Sequence, residues 1–274
     1  MRPVNSDKFI KEFYSKERPC ILNDFSENWD CLIKWNYSFF QRTYPKLEIK
    51  YNIIPDGEKK SKLSPPFAGN MLFFDFINIL KSDKRSKKRL FKFNLLQKCK
   101  ELNNDFSLDK KWIKGFYIWW KMLFFGAKGS TVRLHYDIDF CANFLTQLEG
   151  TKTIWLFPPE QTKYLYKYPF SVHSAVDFKN PDYKKYPLFK KAKAERFVIN
   201  KGQTLFIPPG WWHYIEYTSS GYGMSVKSFP NKMEYLIKGL YNLIVILPID
   251  SLLHSIIPVF WHKLKNKYIF KNPT

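Results

Sequence analysis

The chain has 274 residues, 45% of them hydrophobic and 19% aromatic, enough to bury a full-sized core and too apolar for a disordered segment. Formal net charge is +21, from 45 Lys plus Arg against 24 Asp plus Glu; a field of that sign draws nucleic acid, anionic membrane or acidic protein, although a chain rich in Lys, Asn, Ile, Phe and Tyr together reaches such a charge by composition bias alone. Four scattered cysteines, Cys20, Cys31, Cys99 and Cys141, make no CxxC, which argues against a zinc site or a disulfide scaffold and for a reducing, intracellular compartment, cytoplasmic or nuclear.

The amino terminus carries no apolar run of the signal-peptide kind. Ser6 to Tyr14 is expected to form a short amphipathic helix, with Phe9, Ile10, Phe13 and Tyr14 on one side. From Pro19 to about Ile54 short apolar pieces are broken by Asn, Asp and Pro, and residues 55–68 read as an exposed loop. Phe73 to Leu80 is expected to be a helix leading into KSDKRSKKR, residues 81–89, the densest basic run and a solvated loop by default. From Gly115 to Phe229 short β-rich runs separated by Gly and Pro turns indicate a barrel or jelly roll, with residues 160–195 as a long decorated loop. After Pro230 the helical period returns: Asn231 and Glu234 resemble a capping box, and a second helix starts near Asp250 and is broken or kinked at Pro258. The apolar stretch Leu236 to Phe260 is interrupted by Lys238, Pro248, Asp250, His254 and Pro258, so no membrane span is expected from it.

The chemistry concentrates in TVRLHYDID. On a strand, residues two apart share a face, so His135 and Asp137 would project together, and His213 in GWWHYI lies in another β-like run able to complete the set. Two His and one carboxylate form the facial triad of non-haem Fe(II) oxygenases, which leaves metal positions open for cosubstrate and oxygen. His173, His254 and His262 are expected to be structural or exposed. Tyr136, Trp211, Trp212 and Tyr214 flank the ligands, and packing is their default role.

Residues 135–159, HYDIDFCANFLTQLEGTKTIWLFPP, resemble the core motif of the JmjC domain in its cupin-like hydroxylase branch. NPDYKKYPLFKKA (180–192), GQTLFIPPGWWHYIE (202–216) and RPCILNDFSENW (18–29) resemble further elements of that branch in order, so the likeness covers roughly residues 8–230. The resemblance implies a mainly β fold with flanking helices, built on a double-stranded β-helix (jelly-roll, cupin-like) core. Residues 1–230 would form the oxygenase domain and residues 231–274 a carboxy-terminal helical extension, the part relatives use to form a homodimer. His135, Asp137 and His213 match the Fe(II) ligands and catalytic centre, Lys152 the lysine that pairs with the distal carboxylate of 2-oxoglutarate, and Asn143 a polar residue near that cosubstrate. The implied activity is hydroxylation of a C–H bond in a protein side chain; the alternatives are a modified base in tRNA and a non-catalytic binding protein. Two positions depart from the pattern: Lys227 stands where the branch usually has Asn, and Val132 where it commonly has Thr or Ser, with Thr131 one place earlier. Lys227 either supplies another contact to the cosubstrate or disturbs that contact.

Overall fold

The computed structural model describes residues 4–53, 67–91, 94–112 and 118–271. The loop expected over 55–68 lies almost wholly outside the described residues. Before the barrel come β1 (Cys20–Leu22), β2 (Glu48–Ile53), β3 (Gly69–Leu72) and β4 (Lys88–Leu90). The barrel itself is β5 (Ile118–Gly126), β6 (Thr131–His135), β7 (Ala142–Glu149), β8 (Lys152–Phe157), β9 (Glu195–Ile199), β10 (Thr204–Ile207), β11 (Trp212–Tyr217) and β12 (Gly221–Ser228). These strands pair into an eight-stranded sheet, β1-β10-β7-β12-β5-β4-β2-β3, and a four-stranded sheet, β6-β11-β8-β9, antiparallel throughout. From β5 to β12 the chain alternates between the two sheets except where β8 pairs with β9, the winding of a jelly roll.

Strand alternation sorts the side chains into three layers. Phe144 and Leu148 of β7, and Tyr222, Met224 and Val226 of β12, face outward into an aromatic cluster with the amino-terminal elements. Leu145 of β7, with Ile154 and Leu156 of β8, Leu205 and Ile207, fills the space between the sheets. Trp155 and Phe157 of β8, with Leu134, Trp212 and Tyr214, form the outer face of the small sheet. Tyr136, Trp211, Trp212 and Tyr214 are all buried in these clusters, so the four aromatics beside the ligands are packing residues.

The outer cluster explains the first third of the chain. The helix expected over Ser6 to Tyr14 is present as α1 (Ser6–Lys8) continued by a π-helical turn, Phe9–Tyr14. It delivers Phe9, fully buried, edge-on to Trp112, Phe144 and Phe206. Four short helices, α2 (Cys31–Lys34), α3 (Tyr37–Thr43), α4 (Phe73–Lys81) and α5 (Leu95–Lys98), add Trp35, Phe40, Phe73 and Phe76 to the same layer. Asp105 closes it by accepting from Trp35 Nε1 at 2.7 Å and from Lys34 Nζ at 2.6 Å.

Several sequence expectations change here. The basic run 81–89 is not all solvated loop: Lys88 and Arg89 enter β4, and Arg89 is 7% exposed. Residues 160–195 are packed, because Leu165, Tyr166, Tyr168, Val172, Tyr186 and Phe189 form a core of their own on the small sheet. Asn231 does not cap the following helix; its Oδ1 accepts from Tyr14 Oη, and α6 (Met233–Tyr241) begins after Lys232. Helix α7 (Leu247–Ile256) does not start afresh near Asp250 either. A π-helical turn, Asn242–Ile246, joins it to α6, so Pro248 lies within a continuous helical run, directly after that turn. Pro258 opens α8 (Pro258–Lys271), the break the sequence predicts.

The run Met233–Ile256 is long and apolar enough to cross a membrane by length and composition, and 17% of its apolar window is buried. Two contacts tie it to the barrel: Asn242 Nδ2 donates to the Ile138 carbonyl at 3.0 Å, and Gly239 lies directly on the Asp139 backbone. Asp250, buried between α7 and α8, accepts from Trp261 Nε1 at 2.9 Å and pairs with the buried Lys265.

Candidate metal centre

β6 and β11 are neighbours, and their register sets His135 directly opposite His213. The two imidazoles stand 4.2 Å apart between centroids. Asp137 follows β6 by two residues in a tight loop, fixed by Phe140 N donating to the Asp137 carbonyl at 3.1 Å and by Cys141 N donating to Asp139 Oδ1 at 3.2 Å. One ligand atom from each of His135, Asp137 and His213 lies within 4.8 Å of the others, the three-residue set expected from the sequence.

Both imidazoles are oriented by backbone. His135 Nδ1 is 2.9 Å from the Arg133 carbonyl and His213 Nδ1 is 3.2 Å from the Trp211 carbonyl. A carbonyl can only accept, so each Nδ1 carries the hydrogen and each Nε2 keeps its lone pair for a metal. Burial, then mutual repulsion, pushes His135 well below the ordinary imidazole value, and burial pushes His213 down likewise. Neutral rings are the ligand form. Burial works to raise Asp137, but the Lys227 ammonium outweighs it and holds the carboxyl ionised.

Asn143, on β7, donates from Nδ2 to Asp137 Oδ2 at 3.1 Å and accepts from Ser225 Oγ at 2.8 Å. It therefore braces the acidic ligand directly. Lys227, opposite Asn143 in the β7–β12 register, reaches Asp137 Oδ1 at 3.1 Å and Asp139 Oδ2 at 3.0 Å. Both carboxylates hold its ammonium charged, against the burial that would lower it.

Lys152 lies deeper on the inner face of β8, 1% exposed, its Nζ 4.6 Å from the centre of the Tyr217 ring. The sheet makes room for it at Gly223: a Cβ there would stand 2.9 Å from Lys152 Nζ, 2.6 Å from the Thr146 carbonyl and 3.0 Å from Gln147 Oε1. Among the described residues no carboxylate pairs with Lys152, and burial pushes its ammonium down to about 7. A fixed, desolvated cation inside the barrel matches the charge of a carboxylate ligand.

A β-bulge in the β6–β11 pair of the small sheet decides the Val132 question. The register passes from His213 opposite His135 to Ile215 opposite Val132, so β6 spends one extra residue. Val132 is thereby placed on the side of Ile215 and the barrel interior, while Thr131, opposite Glu216, bonds outward to Tyr214. Thr131 does not replace the missing hydroxyl.

Three residues near the centre were not legible as such in the sequence. His173, expected to be structural or exposed, is 7% exposed and bridges to His135, ring centroids 5.4 Å apart. Arg89 donates from Nη1 to the Thr131 carbonyl at 3.2 Å, and burial pushes its guanidinium down to about 10. Trp120, opposite Lys227 in the β5–β12 register, is 44% exposed. The strand signals around them gave no partner for any of the three. His254 and His262 sit among the carboxy-terminal helices, near Asp250 and Asn266, away from the triad.

Comparison with known proteins agrees with this geometry. Residues 6–232 match the family model described as a cupin-like domain. The chain is 27% identical over 251 residues to a JmjC domain-containing protein D of Dictyostelium discoideum (81% of this chain, 54% of that protein). It is 28% identical over 237 residues to a lysine-specific demethylase 8 of Xenopus tropicalis (80% and 50%), and 26% identical over 245 residues to a tRNA wybutosine-synthesizing protein 5 of Gallus gallus (82% and 74%). The chain thus spans about half the length of the first two relatives. A jelly roll of this winding, and a family match over most of its length, show that the chain belongs to the cupin-like JmjC family.

Proposed function

We propose that this protein is an Fe(II)- and 2-oxoglutarate-dependent oxygenase that hydroxylates a C–H bond of a protein side chain. The observation that carries the reading is the triad itself: two imidazoles presenting Nε2 and an ionised carboxylate, ligand atoms within 4.8 Å of one another, at one end of the barrel interior. Two nitrogens and one oxygen suit Fe(II), and the unpaired Lys152 suits the distal carboxylate of the cosubstrate. When bound, the iron and 2-oxoglutarate supply the activation of oxygen. The chain's residues do the rest: His135, Asp137 and His213 hold the metal, Asn143 keeps Asp137 in place, Lys152 anchors the cosubstrate, and the aliphatic layer beneath excludes water. The test is succinate release with Fe(II), 2-oxoglutarate and ascorbate, together with mass spectrometry for one added oxygen across peptide and tRNA pools. Wild type should give both signals and His135→Ala neither; equal signals from the two would refute the assignment.

A modified base in tRNA is the second reading, favoured by the net charge of +21 and by coverage of 74% of the Gallus gallus wybutosine-synthesizing relative. Salt-dependent binding to bulk tRNA would support it and its absence would remove it. A non-catalytic binding protein predicts no 2-oxoglutarate binding at all. The carboxy-terminal helices present a broad apolar face, with Met233 67%, Ile237 59% and Ile244 69% exposed, and we propose that two copies meet there as a homodimer. Monomeric mass in light scattering at micromolar concentration would overturn that. Four buried free cysteines fit an intracellular, reducing setting.

A further inference from the structure

The acidic ligand is already fully engaged by its neighbours. Asp137 Oδ2 accepts from Asn143 at 3.1 Å, and Oδ1 faces the Lys227 ammonium at 3.1 Å. The amide leaves its oxygen free to turn toward a metal, because it is neutral. The ammonium does not, because a divalent ion reaching Oδ1 meets a positive charge at the same atom. The site also contains the means of relieving that conflict. Lys227 Nζ lies 3.1 Å from Asp139 Oδ1 and 3.0 Å from Asp139 Oδ2, a two-pronged contact with a carboxylate that is 7% exposed and ligates nothing in the triad. Asp139 is held in place from two sides, by Cys141 N at 3.2 Å and by the helix packed on its backbone at Gly239.

We propose that Lys227 and Asp139 form a cation-exchange pair that sets the metal affinity of the triad. Lys227 competes with the metal for Asp137, and Asp139 is the carboxylate that keeps the ammonium when the metal takes Asp137. No covalent bond forms or breaks and no proton moves; the ammonium gives up one of two carboxylates. The inference rests on the metal-centre reading above and concerns this chain's departure from Asn at position 227.

Mn(II) binding to the chelator-treated full chain, read by electron paramagnetic resonance of the free ion, tests it without turnover. Lys227→Met/Asp139→Asn removes both charges, so neither is stranded in the interior, and should bind Mn(II) at least about tenfold more tightly than wild type. Asp139→Asn alone leaves the ammonium with Asp137 only and should weaken binding by about tenfold or more. Lys227→Arg keeps the competing charge and should stay within a few-fold of wild type. A merely structural role for the pair predicts weaker binding, or none, for every variant that lowers the melting temperature. The proposal is overturned if the double variant binds no more tightly than wild type, or if Asp139→Asn leaves affinity unchanged. If wild type binds Mn(II) no better than His135→Ala, the metal-centre reading itself falls, and this inference with it.

Discussion

Lys152→Met exchanges a buried ammonium for a thioether of similar length on the same inner face of β8. The wild-type lysine is 1% exposed, and burial lowers it from 10.5 to about 7. At about 1.4 kcal/mol per unit, that shift corresponds to ~5 kcal/mol of stability withheld from the protein whenever Lys152 is charged in both folded and unfolded states. The Tyr217 ring, 4.6 Å from Nζ, offsets part of the cost in the wild type and is lost as a cation partner in the variant, by about 1–2 kcal/mol. The net expectation is a gain of ~3 kcal/mol for Lys152→Met at pH 7, or roughly 6 °C in Tm for a chain of this size.

The pH dependence has a definite sign. Below about pH 7 lysine is protonated in both states and the full cost applies. Between about pH 7 and 10.5 the unfolded chain holds a proton that the folded one has released, so wild-type stability rises with pH and the advantage of the variant shrinks. Urea denaturation of both proteins at pH 7 and pH 9 measures this directly, and the gap should close by ~2–3 kcal/mol. In parallel, 2-oxoglutarate affinity of the Mn(II)-loaded variant should fall on the order of 100-fold. A variant no more stable than wild type at pH 7, or a gap that does not narrow by pH 9, would refute the claim that Lys152 is an unpaired buried cation.

Three further outcomes follow from the same geometry. Because a carboxylate restores the charge on Lys152, 2-oxoglutarate binding at pH 8 should take up close to one proton, measurable as a dependence of calorimetric heat on buffer ionisation enthalpy; Lys152→Met should show none. Gly239→Ala ought to gain ~1 kcal/mol from helix propensity, yet its Cβ would stand 2.2 Å from the Asp139 carbonyl, so we expect a net loss of ~1–3 kcal/mol and weaker Mn(II) binding; a raised Tm would contradict the packing. Val132→Thr places a hydroxyl on the side of Ile215 where the wild type has none, and should tighten 2-oxoglutarate by several-fold, ~1 kcal/mol, with weaker binding counting against the inward placement.

Legibility in the sequence follows the range of the interactions. The convergence of His135, Asp137 and His213 could be read because motif and strand alternation fix them locally, and the jelly roll because its strands are short and sharply punctuated. What could not be read depends on contacts far apart in the chain. Arg89 sits in a basic run that looks solvated, and only the pairing of β4 with β5 turns it inward to Thr131. The capping box at Asn231 fails because Tyr14, 217 residues away, claims its side chain. Val132 and Thr131 could not be told apart, since a bulge shifts the face and nothing local announces it. Lys227 was visible as a departure, but its two carboxylate partners were not.

The aromatic richness of the chain belongs to stability. Phe9, Phe40, Phe73, Phe125 and Phe144 are fully buried on the outer face of the large sheet, each contributing about 2 kcal/mol relative to exposure, so two or three such rings offset the cost of an unpaired Lys152 on the inner face of the barrel. Substrate recognition is therefore to be sought in an aromatic outside these clusters. Trp120 is such a residue: it is 44% exposed and stands in register with Lys227, whose ammonium reaches Asp137. Trp120→Ala removes no core contact of the outer cluster, so Tm should change by less than about 2 °C and Mn(II) affinity should hold within a few-fold. Turnover on the true substrate should nevertheless fall by about tenfold or more through KM, the loss expected when one exposed stacking or packing surface of ~1–2 kcal/mol is removed. Unchanged kinetics on the substrate would place recognition elsewhere on the barrel rim, and a large fall in Tm would return Trp120 to the core.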